Sequence, residues 1–389
     1  MMRLRVCRRL PFGWIVVYVF VFIVLMPFVG QDLVYSMYRS AKWTSVTMQE
    51  KVLDRHSQAL LEAEAYLRTL ELRSRSLAED GPVDLTTVIV TSRRVMVGSR
   101  PAGYLTRTVA ALSSSAAGSD WSASQQLFIC DVNAGPAHHI EADRLRQYFN
   151  VIVRFPHPNA SAVILDPFEK EKQDYVFCLQ QALRFTSTYV LMVEDDAVAQ
   201  DDIFHILKYI LSTRTLAPRT HSWSHLKLYY PERWQGFSLD FRTALELISL
   251  FCIAYMFWSG MLCLWSGEGR NMFKQTLPGG FLVILVALLV GRQHLLELKR
   301  ISPYLYSLAP DPACCSPAVF YNAEFAKLLV PYLLNEVQCS HAYPLDMALK
   351  RFVDRLQWPG FRVEPNVFRH IGLMSTMKGF SRHIEDFLI

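Results

Sequence analysis

The sequence predicts an α/β domain with a mostly parallel sheet, combined with three apolar segments that place the chain in a membrane. Three observations predict it. Short β-rich runs alternate with helical stretches after residue 82. Long apolar blocks cover residues 12–29, 244–265 and 276–292. Three consecutive acids, Glu194, Asp195 and Asp196, follow the apolar run Tyr189-Val190-Leu191-Met192-Val193, where a buried strand would surface.

The bulk numbers agree with a membrane-tethered chain. Of 389 residues, 51% are hydrophobic and the mean hydropathy is positive, which is high for a soluble protein. The net charge of +5, from 40 basic and 35 acidic residues, is too mild for a nucleic-acid partner, and no basic run occurs beyond the N-terminus. Of eight cysteines, Cys7, Cys252 and Cys263 lie in or beside apolar segments. The others, Cys130, Cys178, Cys314, Cys315 and Cys339, form no CxxC pair and have no histidine at zinc spacing, which argues against a structural zinc site.

Residues 1–11 carry Arg3, Arg5, Arg8 and Arg9 ahead of the first span, 12–29, and so read as a cytosolic tail. No small-residue cleavage site follows, so the span reads as an uncleaved signal anchor. The block 244–265 has one charge, Glu246. The block 276–292 is short for about 30 Å of hydrocarbon. Between them, 266–275 holds Arg270 and Lys274 and reads as a cytosolic loop. A buried helical hairpin of a soluble domain is the competing reading. With three spans, 30–243 and 293–389 fall on one non-cytosolic side, so the hairpin interrupts a single domain whose parts are 83–243 and 293–389. The sequon Asn159-Ala160-Ser161, a candidate glycosylation site, lies on that side.

Residues 30–82 read as a lumenal stem, helical over 42–79 and ended by Asp80-Gly81-Pro82, although an amphipathic helix packed on the domain fits the pattern equally. Strands are expected at 87–91, 126–132, 151–155 and 189–194, with a short one at 361–364 ahead of His370, and helices at 103–113, 141–148, 168–185 and 202–213. In parallel sheets ligands bind beyond the carboxyl ends of the strands. The acidic triplet occupies such an end. Alternate strand positions face one way, so Glu194 and Asp196 converge, and two hard oxygen ligands suit Mn²⁺ or Mg²⁺ bridging a diphosphate. A solvated acidic turn is the bland alternative. No GxxxxGK[ST] motif is present, so phosphate handling is not of the P-loop kind.

At these residues a family resemblance enters. The segments Phe168-Glu169-Lys170-Glu171-Lys172-Gln173-Asp174-Tyr175 and Val193-Glu194-Asp195-Asp196-Ala197-Val198 resemble the Golgi N-acetylgalactosaminyltransferases that modify GPI anchors after their attachment to protein. So do Leu226-Lys227-Leu228-Tyr229, Pro231-Glu232-Arg233, Cys314-Cys315-Ser316-Pro317-Ala318, Asp346-Met347-Ala348-Leu349, Val363-Glu364-Pro365-Asn366 and His370-Ile371-Gly372. The resemblance implies a GT-A-like nucleotide-sugar transferase domain interrupted by two membrane helices, sited in the Golgi membrane with its catalytic part lumenal. It implies inverting transfer of N-acetylgalactosamine from UDP-GalNAc to the first mannose of the GPI glycan, with GPI-anchored proteins as acceptors and Mn²⁺ (or Mg²⁺) as cofactor. By it, Glu194 and Asp196 would hold the metal and Asp346 would be the general base. Thr91, Ser92, Arg94 and Asp195 would belong to the donor site, and Ser316, Pro317 and Ala318 would line the donor or acceptor site. One departure stands out: an acid is expected beside the arginine after the first strand, where this chain reads Ser92-Arg93-Arg94.

Three further candidates have bland readings beside the functional ones. Asp346 opens an expected helix, 346–356, where aspartate is ordinarily a cap or dipole partner. His370 would complete the metal or diphosphate site, although single histidines are mostly structural. Lys172 could steady the diphosphate, or be a solvated helix charge. Among the cysteines, a Cys130–Cys178 bridge would tie neighbouring elements, and the resemblance makes a vicinal Cys314–Cys315 ring plausible, leaving Cys339 free unless it takes one member of that pair. The rival functions are an N-glycan N-acetylglucosaminyltransferase of similar fold and a non-catalytic lumenal glycan-binding adaptor.

Overall fold

The computed structural model describes residues 6–39, 45–70, 83–94, 102–119, 121, 124–134, 138–156, 166–213, 223–266 and 272–373. The chain forms two compact units, one of residues 1–48, 232–298 and 388–389, the other of residues 49–231 and 299–387. Asn159 and residues 71–82, with the Asp80-Gly81-Pro82 terminator, lie outside the described residues.

The larger unit is built on an eight-stranded sheet. Its strands are β1 (Leu85–Thr91), β2 (Gln125–Asp131), β3 (Asn150–Val153), β4 (Tyr189–Glu194), β6 (His225–Lys227), β7 (Ser307–Pro310), β8 (Ala318–Asn322) and β9 (Phe361–Glu364), in the order β3-β2-β1-β4-β8-β6-β9-β7. Strands β5 (Ala197–Ala199) and β10 (Phe368–His370) pair apart as a two-stranded ribbon. The β-branched run Leu-Thr-Thr-Val-Ile-Val-Thr makes β1 a natural central strand.

Alternation along the strands divides the core. Ile89, Ile129, Leu191 and Val193 face the helices Tyr104–Ala117 and Ile203–Thr213. Val88, Phe128, Val190 and Met192 face the helices Pro167–Leu183, Ala323–Asn335 and Leu345–Leu356. All four β4 residues named here are buried to within 1% of complete, each worth roughly 1.5–3 kcal/mol of transfer free energy. The Pro167–Leu183 helix starts as its sequence directs: Asp166 accepts from the amides of Phe168 and Glu169, with proline in the first turn.

The expectation of a mostly parallel sheet holds only in part. The pairs β3–β2, β2–β1, β1–β4 and β6–β9 are parallel, whereas β4–β8, β8–β6 and β9–β7 are antiparallel. The parallel half is the one with regular strand–helix alternation. The mixed half is assembled from short strands on both sides of the apolar insertion, where no such alternation constrains direction.

The expected stem also packs on the domain. Helix Ser45–Thr69 buries Ala63 and Leu67 in the core, and Leu60 lies against Gly103. The Tyr66 hydroxyl lies 3.3 Å from Ser113 Oγ, and Arg107 Nη1 lies 2.6 Å from His56 Nδ1.

The smaller unit holds the apolar helices. Among the described residues, two stretches are long and apolar enough to cross a membrane unaided, Gly13–Gly30 and Phe241–Leu264, and few of their side chains are buried. The third expected span is not a straight one. Helix Met272–Val290 carries Pro278 and ends at Gly291, whose φ of +95° belongs to glycine, and the helical axis then turns by 101°. Two spans stand alone, and a third exists only if that bent pair counts as one. Gly279 and Gly280 let this helix meet its partner closely: a Cβ on either would lie 2.3 Å from Trp258 or 2.5 Å from Phe251. Arg292 is buried and pairs with Glu246 at 2.6 and 2.7 Å, the pairing that a buried guanidinium requires.

Candidate active site

The site lies where the carboxyl ends of β1, β2 and β4 come together, as the rule for parallel sheets requires. A cavity of about 290 Å³ opens there, at the lower edge of the size range of small-molecule sites, roughly 300–1,000 Å³. Thr91, Ser92 and Arg94 line one side, Glu194 and Asp195 the floor, and Ser316 and Leu345 the side contributed by later segments. Lys170, Asp174 and Tyr175 of the Pro167–Leu183 helix complete the wall.

Strand β4 ends at Glu194, and Asp195-Asp196 form a turn into β5. That turn, and not simple strand alternation, converges the acids. Strand β10 pairs antiparallel with β5, matching His370 with Ala197, and so brings the histidine to the turn. Possible ligand atoms of Glu194, Asp196 and His370 all lie within 4.8 Å of one another, with His370 Nε2 3.4 Å from Asp196 Oδ1. Asp196 and His370 are buried below the cavity floor, while Glu194 reaches its surface. Gly372 permits the packing: a Cβ there would lie 1.9 Å from Asp196 Oδ2. The Ile371 amide donates to the Asp196 carbonyl at 2.7 Å, and the Leu373 amide to the Tyr104 hydroxyl at 3.1 Å, which fixes the glycine between them.

Asp195 faces the other way. It accepts from Thr91 Oγ1 at 2.8 Å and from Arg94 Nη2 at 2.5 Å, and the Thr91 hydroxyl also meets His139 Nε2 at 2.8 Å. Thr108 donates to the Asp195 carbonyl at 2.8 Å from helix Tyr104–Ala117. The N-terminus of that helix is capped by Glu141, which accepts from the amides of Gly103 and Thr106; burial raises the Glu141 pKa against the effect of those bonds. Arg94 also lies 3.2 Å from Asp196 Oδ2. Burial on its own would lower the Arg94 pKa, yet Asp195 and Asp196 drive it above the ordinary arginine value.

The donor set fits a divalent cation. Two carboxylates and an imidazole are hard-to-borderline ligands of the Mn²⁺ kind, and ligand atoms around one ion stand up to about 4.4 Å apart at ordinary bond lengths. Arg94 offsets one of the three acidic charges in a nearly dry floor, so the remainder matches a doubly charged ion.

The remaining site candidates fall into place unevenly. Ser316 is on the cavity wall, while Pro317 accepts the Glu194 amide at 2.7 Å and Ala318 pairs with Val193 in the sheet. Asp346 sits in the first turn of the Leu345–Leu356 helix, beside Leu345 of the wall. Its Oδ2 accepts from the Cys315 amide at 2.8 Å, and its Oδ1 is buried with no hydrogen-bond partner among the described residues. Lys172 stands outside the cavity: it is 3% exposed, donates to the Val337 carbonyl at 2.6 Å and pairs with Glu169 at 2.8 Å. Residues Lys170 and Asp174 take the wall instead, tied together at 2.5 Å, with Arg154 on the same carboxylate. Cys130 and Cys178 form a disulfide across β2 and the Pro167–Leu183 helix, Cys314 and Cys315 form a vicinal one, and Cys339 is free and buried.

Sequence reasoning missed Lys170, Asp174, His139, Tyr104 and Gly372. A helical-wheel projection of residues 168–175 would have separated Lys170 from Lys172, since two residues span about 200° of a helix. No sequence signal marks His139, and Gly372 stands in the segment His370-Ile371-Gly372 that carries the resemblance without a role of its own attached to it.

Comparison with known proteins bears on the whole constellation. Among solved structures, the chain is similar to a mannosyltransferase from Pyrobaculum calidifontis, described in complex with GDP-Man and Mn²⁺, at 12% identity over 48% of each chain and a TM-score of 0.25. It is also similar to mouse xyloside xylosyltransferase 1 in its apo form, at 11% identity over 79% of this chain and 80% of that one, with a TM-score of 0.28. The chain spans about half the length of the mannosyltransferase, and overlays this loose carry no argument about the present chain. The family comparison is of another order: the model of GPI-N-acetylgalactosamine transferase PGAP4 matches residues 85–369, a span that contains the acidic triplet, the cavity wall and the vicinal cysteines and ends one residue before His370. The chain belongs to that family and is a glycosyltransferase.

Proposed function

We propose that this glycosyltransferase moves N-acetylgalactosamine from UDP-GalNAc to the first mannose of the GPI glycan on GPI-anchored proteins, by single-displacement inversion, in the Golgi lumen. The observation that carries the reading is the convergence of Asp196 and His370, buried beneath the floor, with Glu194, which reaches a cavity lined by Ser92, Lys170 and Ser316. Glu194, Asp196 and His370 would hold Mn²⁺ or Mg²⁺, which when bound neutralises negative charge on a departing diphosphate. Arg94 stays charged and keeps Asp195 anchored away from the ion, so the turn presents its acids in one fixed order. Thr91 and Ser92 lie at the end of β1, where the nucleotide half of the donor would enter.

Asp346 would accept the proton of the acceptor hydroxyl. Its Oδ2 is committed to the Cys315 amide, and its Oδ1, buried and without a hydrogen bond among the described residues, is the oxygen that would take that proton. The topology that fits is a cytosolic N-terminus and a lumenal catalytic unit split by the apolar hairpin, in the arrangement 1–11, 12–29, 30–82, 83–243, 244–265, 266–275, 276–292 and 293–389. The purified full-length protein, assayed with UDP-GalNAc and UDP-GlcNAc against GPI-glycan and N-glycan acceptors, with EDTA or Mn²⁺, tests the whole reading. Transfer of GalNAc to the GPI glycan, abolished by EDTA, is expected. Preference for UDP-GlcNAc, or UDP binding without turnover, would replace it.

A further inference from the structure

Behind the cavity lies a buried charge that the transfer scheme does not use. Lys227, on β6, is 1% exposed. A lone ammonium at that depth would be strongly unfavourable, and a methionine would fill the space without any charge to satisfy. The lysine is instead paired and hydrogen-bonded. It donates to the Pro312 carbonyl at 2.7 Å and the Cys314 carbonyl at 3.0 Å, and forms an ion pair with Asp311 Oδ1 at 3.1 Å, so that three oxygens surround it. Asp311 in turn lies 3.4 Å from His225 Nε2, and His225 meets Ser224 Oγ at 3.0 Å.

All three oxygens belong to one short segment, and that segment leads into the site. Cys315 follows with φ of +75°, a left-handed conformation that a non-glycine residue adopts only when its surroundings hold it there. The Cys314–Cys315 disulfide closes the turn on itself. Beyond it, the Cys315 amide donates to Asp346 Oδ2 at 2.8 Å, Ser316 lines the cavity, and Pro317 accepts the Glu194 amide at 2.7 Å. Lys227 itself is fixed in register between Val319 of β8 and Arg362 of β9. A rigid sheet position is thereby connected to a carboxylate and to the backbone of a metal-site acid.

We propose that Lys227 is a positioning residue for transfer: by clamping the carbonyls around the vicinal disulfide it aims the Cys315 amide, which holds the Asp346 carboxylate in register with Glu194. The proposal rests on Asp346 being the base. It assigns to the Lys227-Asp311 pair and the vicinal cysteines one common task, the orientation of a single N–H bond.

The test compares full-length enzyme carrying Lys227→Met, Asp346→Asn or both, with kcat expressed per UDP-binding site counted by calorimetry in Mn²⁺. Lys227→Met should keep UDP affinity and donor KM within about twofold and lose about 10–100-fold in kcat, the scale of a misplaced catalytic group. In the Asp346→Asn background the same change should cost nothing further, because both act through one carboxylate. A purely structural lysine would lower the number of UDP sites, or multiply its loss onto that of Asp346→Asn, and either result overturns the proposal. Full transfer by Asp346→Asn sinks the base assignment itself. An inactive Asp346→Asn beside a fully active Lys227→Met sinks the clamp alone. Should Lys227→Met not fold, Cys314→Ala/Cys315→Ala frees the same turn and decides on the same readout: a comparable kcat loss supports the clamp, and an unchanged kcat refutes it.

Discussion

Replacing Gly372 by alanine probes the proposed metal centre without replacing any of its ligands. The new methyl carbon would stand 1.9 Å from Asp196 Oδ2, 2.7 Å from its Cγ and 3.0 Å from its Cβ. Ordinary contact begins near 3.4 Å, so the carboxylate oxygen must retreat by about 1.5 Å. The backbone cannot move away instead, because the amides of Ile371 and Leu373 are bonded on either side of the glycine. A retreat of that size exceeds the tolerance of a metal–oxygen bond of about 2.0–2.2 Å. Misplacement of order 1 Å costs on the order of 10²-fold in rate. Gly372→Ala should therefore need far more Mn²⁺ for half-maximal transfer and reach no more than about a hundredth of the normal rate. The assay is transfer velocity over a Mn²⁺ series, with a melting curve to verify folding. A folded variant with unchanged Mn²⁺ dependence and rate would refute the placement of the ion beside Asp196.

Other perturbations read other parts of the structure. Asp196→Asn and Glu194→Gln should each lower transfer by at least about 100-fold, as preorganised charge at a reacting phosphate is worth; rates within a few-fold of normal would contradict the assignment. Lys172→Met should lower thermal stability through its lost bonds to Val337 and Glu169 and leave UDP affinity unchanged by calorimetry. Opening the Cys130–Cys178 loop of 48 residues by Cys130→Ala/Cys178→Ala should cost about 4 kcal/mol in denaturant titrations, the chain-entropy value for that length. Burial lowers the His225 pKa, so the folded chain holds this imidazole neutral while the unfolded chain protonates it below about pH 6.5. Its contribution to stability is present above that pH and lost as pH falls through it. Melting temperature should thus fall between pH 7.5 and 6.0 more steeply for the native chain than for His225→Gln, and equal slopes would contradict the direction.

How much could be read in advance follows from the kind of signal each element carries. Strand β4 was legible because apolar residues ran directly into three acids, a change of chemistry at the point where a buried strand meets solvent. Strands β1 to β3 and their helices alternated regularly, so their existence was plain even where ends differed by a few residues. The Ala318–Asn322 strand was not legible: it is short, buried at every position and preceded by a disulfide turn, so neither alternation nor length marks it. Strand β5, with Ala-Val-Ala, carries less signal still, yet it is what brings His370 to Asp196. In the mixed half of the sheet only the strand at 361–364 was marked in the sequence; β6, β7 and β8 were lost for the same reason. Lys172 was chosen over Lys170 because charge identifies the helix segment but not its face, and the two lysines point nearly opposite ways. The Ser45–Thr69 helix shows the limit of amphipathic pattern alone: the same leucine spacing serves a free stem or a packed helix, and only the partners, Gly103 and Ser113, decide.

The central claim is that a divalent ion sits between Glu194, Asp196 and His370 and serves a nucleotide sugar. Anomalous diffraction at the manganese edge, from crystals of the full-length protein grown with UDP and Mn²⁺, tests it most directly. The account predicts one peak within about 2.2 Å of a carboxylate oxygen of Glu194, of Asp196 and of His370 Nε2. UDP bound in the cavity with no peak at these residues, or with manganese elsewhere, would contradict it.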